Sequence, residues 1–301
     1  MRRILLSLLL PFALGTLGQA HAKVRVAATL GDLGALVRAV GGDNVDVNVL
    51  STPSEDPHYV DAKPDRVLLL SKADLLVFNG MELEIGWLPV LMTSSRNGNV
   101  QPGSPGYLDC STLVSPKEVP LQKIDRSMGD IHPGGNPHYT KDPRNAALIA
   151  KGVADKLTEI DPAHAAAYAQ NLNAFRKQLD ARLADWGKSL APYKGTPVVT
   201  YHKSWIYFTE WSGLDEVGFI EPKPGIPPST GHVASLFTLM RYRKVPVILQ
   251  EQWYSAQTSE LLSRNTGARV VRVPGMATQS QGYLDYMNTL VEAVVKGLAG
   301  K

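Results

Sequence analysis

One cysteine in 301 residues, Cys110, excludes an internal disulfide, so the fold rests on its packed core. Cys110 sits in "GYLDCSTL", at the end of an expected strand, where it reads as a small buried apolar residue rather than a thiolate ligand. An excess of one charge is also missing. Lysine and arginine number 31 against 28 aspartate and glutamate, and two of the cations, Arg2 and Arg3, belong to a leader. This near-neutral balance gives no electrostatic case for nucleic acid or for an anionic membrane surface. Past the N-terminus no stretch approaches the roughly 18 apolar residues of a membrane helix. No HExxH pair of the metalloprotease type is present either.

What is present begins with "MRRILLSLLLPFALGTLGQAHA". Two arginines precede a leucine run too short to span a bilayer, and the run ends in Ala20-His21-Ala22. This is the pattern of a secretory signal peptide over residues 1–22, cut after Ala22. With no cysteine beside the cut, a lipid anchor is not expected, and the mature chain should be free and periplasmic.

From residue 23 the pattern alternates. "KVRVAAT", "VDVNVLS" and "LLVFNG" read as strands, with "GDLGALVRAVGG", "KPDRVLLLSKAD" and "LEIGWLPVLM" as helices between and after them. Such alternation implies parallel βαβ units, hence an α/β lobe over 23–142. Residues 143–192 carry almost no β signal. Within them Tyr168, Leu172, Phe175, Leu179, Leu183, Trp186 and Leu190 form one apolar stripe. The stripe predicts a helix from Pro162, behind Asp161 as N-cap, to Leu190, roughly 40 Å long. The α/β pattern resumes over 193–301 with "TPVVTYH", "VGFIE", "VPVILQE" and "ARVVRV". The expected class is therefore α/β: two lobes, each a small mostly parallel sheet flanked by helices, bridged by a long rigid helix. Ligands of open α/β sheets sit beyond the carboxyl ends of the strands, which directs attention to the cleft between the lobes.

Three histidines fall there. His58 follows "VDVNVLS", His202 ends "PVVTYH", and His138 lies in "GGNPHYTKDP" before the helical region. Imidazole is the commonest zinc ligand and three define most of a tetrahedral site. Taken singly each reads as a loop histidine, and their scatter gives no short ligand motif. His164 and His232 read as solvated helix ends. His132 is an auxiliary ligand or, more simply, a surface loop residue.

At these residues the chain resembles the periplasmic metal-binding proteins of bacterial ABC importers for zinc and manganese, the cluster A-I solute-binding proteins with a rigid helix between lobes. "TLGDLGALVRAVGGDNVDVNVLSTPSEDPHYVDAKPD", "ADLLVFNGMELEIGWL", "GGNPHYTKDPRNA" and "TYHKSWIYFTEWSGL" are similar to successive blocks of that family, in order, over nearly the whole mature chain. Thr140-Lys141 stands where the family usually has Trp-Leu. The resemblance implies that His58, His138 and His202 bind the ion. It implies delivery to an importer permease in the inner membrane, by a monomer that is not an enzyme. A third imidazole, in place of the glutamate common in manganese members, favours Zn2+ over Mn2+, with manganese the nearest alternative. The family's fourth ligand, an aspartate after a late strand, has no counterpart, since "VVRVPGMATQSQGYLD" holds no acid before Asp285. Glu251 is the replacement candidate. It is left open between direct ligand and partner of a histidine's other ring nitrogen, with a water in the fourth position as the remaining option. A zinc hydrolase using Glu251 as general base is the remote alternative.

Overall fold

The computed structural model describes residues 22–122, 129 and 131–300; the leader falls outside them. The first lobe is built from β1 (Val24–Ala28), α1 (Gly31–Gly41), β2 (Val45–Val49), α2 (Pro64–Ser71), β3 (Leu75–Phe78), α3 (Leu88–Ser95) and β4 (Tyr107–Asp109). Its sheet runs β2-β1-β3-β4, all parallel. The second lobe contains β5 (Pro197–Thr200), α6 (Ile206–Ser212), β6 (Asp215–Phe219), α7 (Thr230–Arg243), β7 (Val247–Glu251), α8 (Gln257–Thr266), β8 (Arg269–Val273) and α9 (Tyr283–Ala299). Its strand order, β6-β5-β7-β8, repeats the first lobe's and is again all parallel. Two such sheets with helical crossovers are what the alternating pattern predicts. Among the described residues no helix is long and apolar enough to cross a membrane.

The helical region holds two helices, α4 (Pro143–Ile160) and α5 (Ala165–Leu190), and α5 is the bridge. Its 26 residues span about 39 Å at 1.5 Å per residue. It begins three residues later than the sequence suggests. Pro162–His164 form a 3-10 turn, and Asp161 accepts hydrogen bonds from Tyr168 Oη and the His164 ring instead of capping the backbone. The apolar stripe is confirmed: Tyr168, Leu172, Phe175, Leu179, Trp186 and Leu190 are all buried. They pack on α1 and α4 on one side and on α9 on the other.

The lobes share one hydrophobic core. A single cluster runs from Val26 and Leu36 through Phe175 and Trp186 to Val247, Tyr286 and Leu290. Polar contacts reinforce it: Ala277 N–H donates to Asp32 Oδ1 at 2.8 Å, and Tyr283 Oη donates to the Thr140 carbonyl at 2.9 Å. Gly31 is needed at this junction, because a Cβ there would lie 1.8 Å from the Ala277 carbonyl oxygen. Satellite cores, around Leu76, Trp87 and Leu91 in one lobe and Ile248, Met240 and Leu262 in the other, cover the outer sheet faces. Cys110 is fully buried just past β4, where burial pushes its thiol well up, consistent with an inert core residue.

One helix is shorter than its sequence suggests. "LEIGWLPVLM" reads as continuous helix, but α3 begins only at Leu88, after turns with Met81 and Glu82 at φ 52° and 62°. The cause is Glu84, whose carboxylate accepts the Asn79 and Gly80 N–H groups and the Thr29 hydroxyl, winding the chain back on itself. Burial raises this carboxyl to about 7 in spite of those donors.

Two outcomes follow from this frame. Phe175→Ala, which strips a ring packed at 6.4 Å from Tyr283, should lower stability by about 3–5 kcal/mol in urea denaturation while leaving one cooperative transition. Glu84 ionises near 4.5 when unfolded and near 7 when folded, so the native state retains a proton the unfolded chain releases. Its contribution is therefore present below pH 4.5 and is lost as pH rises to 7. Glu84→Gln should gain on the wild type across that window by about 1.4 kcal/mol per pH unit at most, read from urea midpoints at several pH values.

Candidate metal centre

His58, His138 and His202 meet in the cleft. Among the described residues they form a group whose ligand nitrogens all lie within 4.8 Å of one another. Ring centroids are 5.2–5.4 Å apart, tilted or edge-on, as when imidazoles face a common point. Each arrives on a loop beyond a strand's carboxyl end or at the entry to the helical region. His202 lies two residues past β5; His58 follows the turns after β2.

Two of the three are positioned by the same local device. In Asp56-Pro57-His58-Tyr59 the Asp56 carboxylate accepts both the His58 N–H, at 3.0 Å, and the ring Nδ1, at 2.7 Å. In Asn136-Pro137-His138-Tyr139 the Asn136 amide oxygen does the same, at 3.1 and 2.9 Å. These are Asx turns with a proline between acceptor and donor, which fixes the intervening backbone. This repeated Asx-Pro-His-Tyr is a signal in the sequence that spacing arguments missed. Asn136 is oriented by its own donors, since Nδ2 binds Glu118 Oε2 at 2.8 Å and the Lys203 carbonyl at 2.7 Å. Its oxygen must then face His138. The third histidine uses a distant partner, Glu221 Oε2, 2.7 Å from His202 Nδ1.

Carboxylate and amide oxygens only accept, so Nδ1 carries a proton on each ring and Nε2 is left as the atom available to the ion. His58 Nε2 is buried and finds no hydrogen-bond partner among the described residues. Burial, and the nearby His202 and Lys141, push the His138 pKa well down, so that ring is neutral and able to bind a cation. A divalent ion with bonds of about 2 Å needs tetrahedral nitrogens about 3.3 Å apart, a modest closure from this arrangement. The donor set fits a divalent metal ion.

His132 joins the periphery, its ring stacked on His58 at 5.4 Å, in the wall of a cavity of about 720 Å³ that opens over His138 and His202. His164 and His232 lie elsewhere and are less solvated than their helix-end positions suggest. His164 Nδ1 bonds Asp161, and His232 Nε2 bonds the Phe219 carbonyl. Ser229 caps α7 through the His232 N–H, as its place ahead of the helix suggests.

Glu251 is fully buried at the end of β7 and is not part of the histidine group. Its Oε1 accepts the Ser204 hydroxyl at 2.6 Å and the Lys141 ammonium at 2.9 Å. Burial pushes its carboxyl up, but Lys141 and Ser204 outweigh that and hold it below the ordinary value. The loop after β8 offers no acid; Gly275 lies under the Trp253 ring and Met276 accepts the Ser51 hydroxyl.

Two repeated parallel lobes, a rigid bridging helix and a nitrogen cluster in the cleft are the plan of metal-binding substrate-binding proteins. A family model described as the periplasmic component A of a zinc-uptake complex matches residues 26–297. The chain belongs to this family, whose members are metal-binding components of ABC importers and not enzymes, which removes the hydrolase alternative. Among curated relatives, the iron-binding protein YfeA of Yersinia pestis is 25% identical, the match covering 91% of this chain and 86% of that one. The manganese-binding lipoprotein MntA of Halalkalibacterium halodurans is 23% identical, with 92% and 89% covered. A crystal structure of ZnuA superposes with a TM-score of 0.75 at 24% identity, covering 92% of this chain and 98% of that one. A mutant of the laminin-binding adhesin Lmb of Streptococcus agalactiae gives 0.74 at 21%, covering 91% and 99%.

The ring-nitrogen partners carry a prediction of their own. If they hold the imidazoles in place, Asp56→Asn and Glu221→Gln should each weaken divalent-ion binding about 10- to 100-fold in a chelator competition titration, with the circular dichroism spectrum unchanged.

Proposed function

We propose that the mature chain binds one zinc ion through Nε2 of His58, His138 and His202 and hands it to an inner-membrane ABC permease. The observation that carries this reading is the shared construction of the triad: every Nδ1 is occupied by an acceptor, which leaves three Nε2 atoms available, and the three rings bring ligand nitrogens within 4.8 Å of one another. Three imidazole ligands suit zinc better than manganese, a harder ion that lies lower in the Irving–Williams order. Asp56 and Glu221 supply two negative charges behind the rings against the ion's two positive ones. A water entering from the open cavity completes the tetrahedron. Manganese is the second reading, favoured by relatives named for that metal.

The leader pattern of residues 1–22 directs the chain to the periplasm, where it acts as a free monomer, and the one cysteine is locked in the core. The shared core and α5 resist hinging, so loading orders the loops around the cleft and leaves the lobes nearly fixed. The permease then distinguishes loaded from empty protein by those loops.

Chelator-stripped mature protein, offered zinc and manganese together, should bind one zinc by native mass spectrometry, and His202→Ala should lose it. Preferential manganese would transfer the assignment to the second reading. No bound metal would sink both.

A further inference from the structure

The His-Tyr-Thr-Lys run after Pro137 ends in a cation where none is expected. Lys141 follows His138 by three residues on a single 3-10 turn, and its side chain is only 5% exposed. Its ammonium crosses from the first lobe's loop to Glu251 of the second, at 2.9 Å, and lies over the Trp205 ring at 5.5 Å. Such burial is costly unless the partner is fixed, and here it is fixed by β7 and the Ser204 hydroxyl. On its other side Lys141 faces Asp32, whose carboxylate is committed to the Ala277 N–H.

Glu251 and His202 leave the sheet at the same end. Strands β5 and β7 pair in parallel with Thr200 opposite Leu249 and the Tyr201 N–H donating to the Leu249 carbonyl; His202 lies two residues past β5, and Glu251 is the last residue of β7. The second oxygen of Glu251, Oε2, is buried and finds no hydrogen-bond partner among the described residues. An anionic oxygen thus lies at the cluster's end of the sheet, outside the histidine group, with its charge already offset by a lysine.

We propose that Lys141 is a built-in counter-ion that sets the metal preference: by pairing with Glu251 it withholds that oxygen donor from the ion and keeps the site all-nitrogen. This rests on the metal-binding reading above. Lys141 is the one cation paired with Glu251 among the described residues, so in its absence a bound metal becomes the partner that neutralises this carboxylate. A carboxylate ligand favours harder ions, so the balance moves toward manganese.

The test is the ratio of zinc to manganese affinity, measured by competition titration on the full mature chain. Lys141→Met should lower the ratio about 10-fold or more, and Lys141→Met with Glu251→Gln should return it to within about threefold of wild type. The double variant replaces a charged pair by neutral groups of similar volume, so it keeps the fold. Should Lys141→Met fail to fold, Glu251→Gln alone decides: it should leave the ratio unmoved, and a shift of about 10-fold either way marks Glu251 as a ligand and overturns the proposal. A folded Lys141→Met with an unchanged ratio overturns it too, as does a double variant that stays shifted. A wild type that binds neither metal overturns the metal-binding reading and this one together, whereas a zinc-preferring wild type with an indifferent Lys141 defeats only this one.

Discussion

The cleft depends on where three ring N–H bonds point. An imidazole on a loop can turn about two side-chain torsions and present either nitrogen; only a hydrogen bond to one nitrogen fixes which lone pair faces inward. Asp56, Asn136 and Glu221 do this, and they do it with acceptors that have no proton to give. Two of these acceptors lie within the same short loop as their histidine, so the geometry is largely local. The third reaches from the loop after β6 to the residue past β5, tying the site to the sheet order.

That local order would be of little use on a flexible frame. His58 and His138 belong to the first lobe and its exit, His202 to the second, and the distance between them is set by the packing of α1, α5 and α9. One continuous core makes relative lobe motion expensive, since opening the cleft would expose apolar surface on both sides of α5. The frame therefore holds the nitrogens near one another in advance, and binding energy is not consumed in bringing them together. The buried Lys141–Glu251 pair lies on the same seam. It links the lobes beside the site, so its charge affects both the rigidity of the junction and the field an ion meets.

Much of this was legible from residues alone. Alternating β and helical patterns, with a polar-free stripe from Tyr168 to Leu190, specify two α/β lobes and a strut because burial periodicity is a local property of the chain. His58 and His202 are legible as loop residues after strands and His138 as a loop residue before the helical region, while their shared role is implied by the family resemblance. The missed features are those made by contacts distant in sequence. Continuous helix was expected where Glu84 winds a turn, because its three donors include Thr29, 55 residues away. His132 was left open between auxiliary ligand and surface loop residue, and only the fold shows that it stacks on His58 from a loop over 70 positions downstream. The paired Asx-Pro-His-Tyr segments were visible, but their meaning lies in a hydrogen-bond geometry that identity does not display.

The sequence by itself determined the class of fold, the near-neutral charge balance and the lack of any internal disulfide, each of which follows from composition or from periodicities that act over a few residues. The three histidines were singled out as ligands only by the resemblance of the blocks that carry them. Only the tertiary structure decided that three histidines spaced across 144 positions converge within 4.8 Å, that Glu221 holds the third, and that Glu251 is claimed by Lys141. The reason is physical: convergence and charge pairing depend on how β5, β7 and the bridging helix stack in space, and that stacking is set by a core shared between segments far apart along the chain.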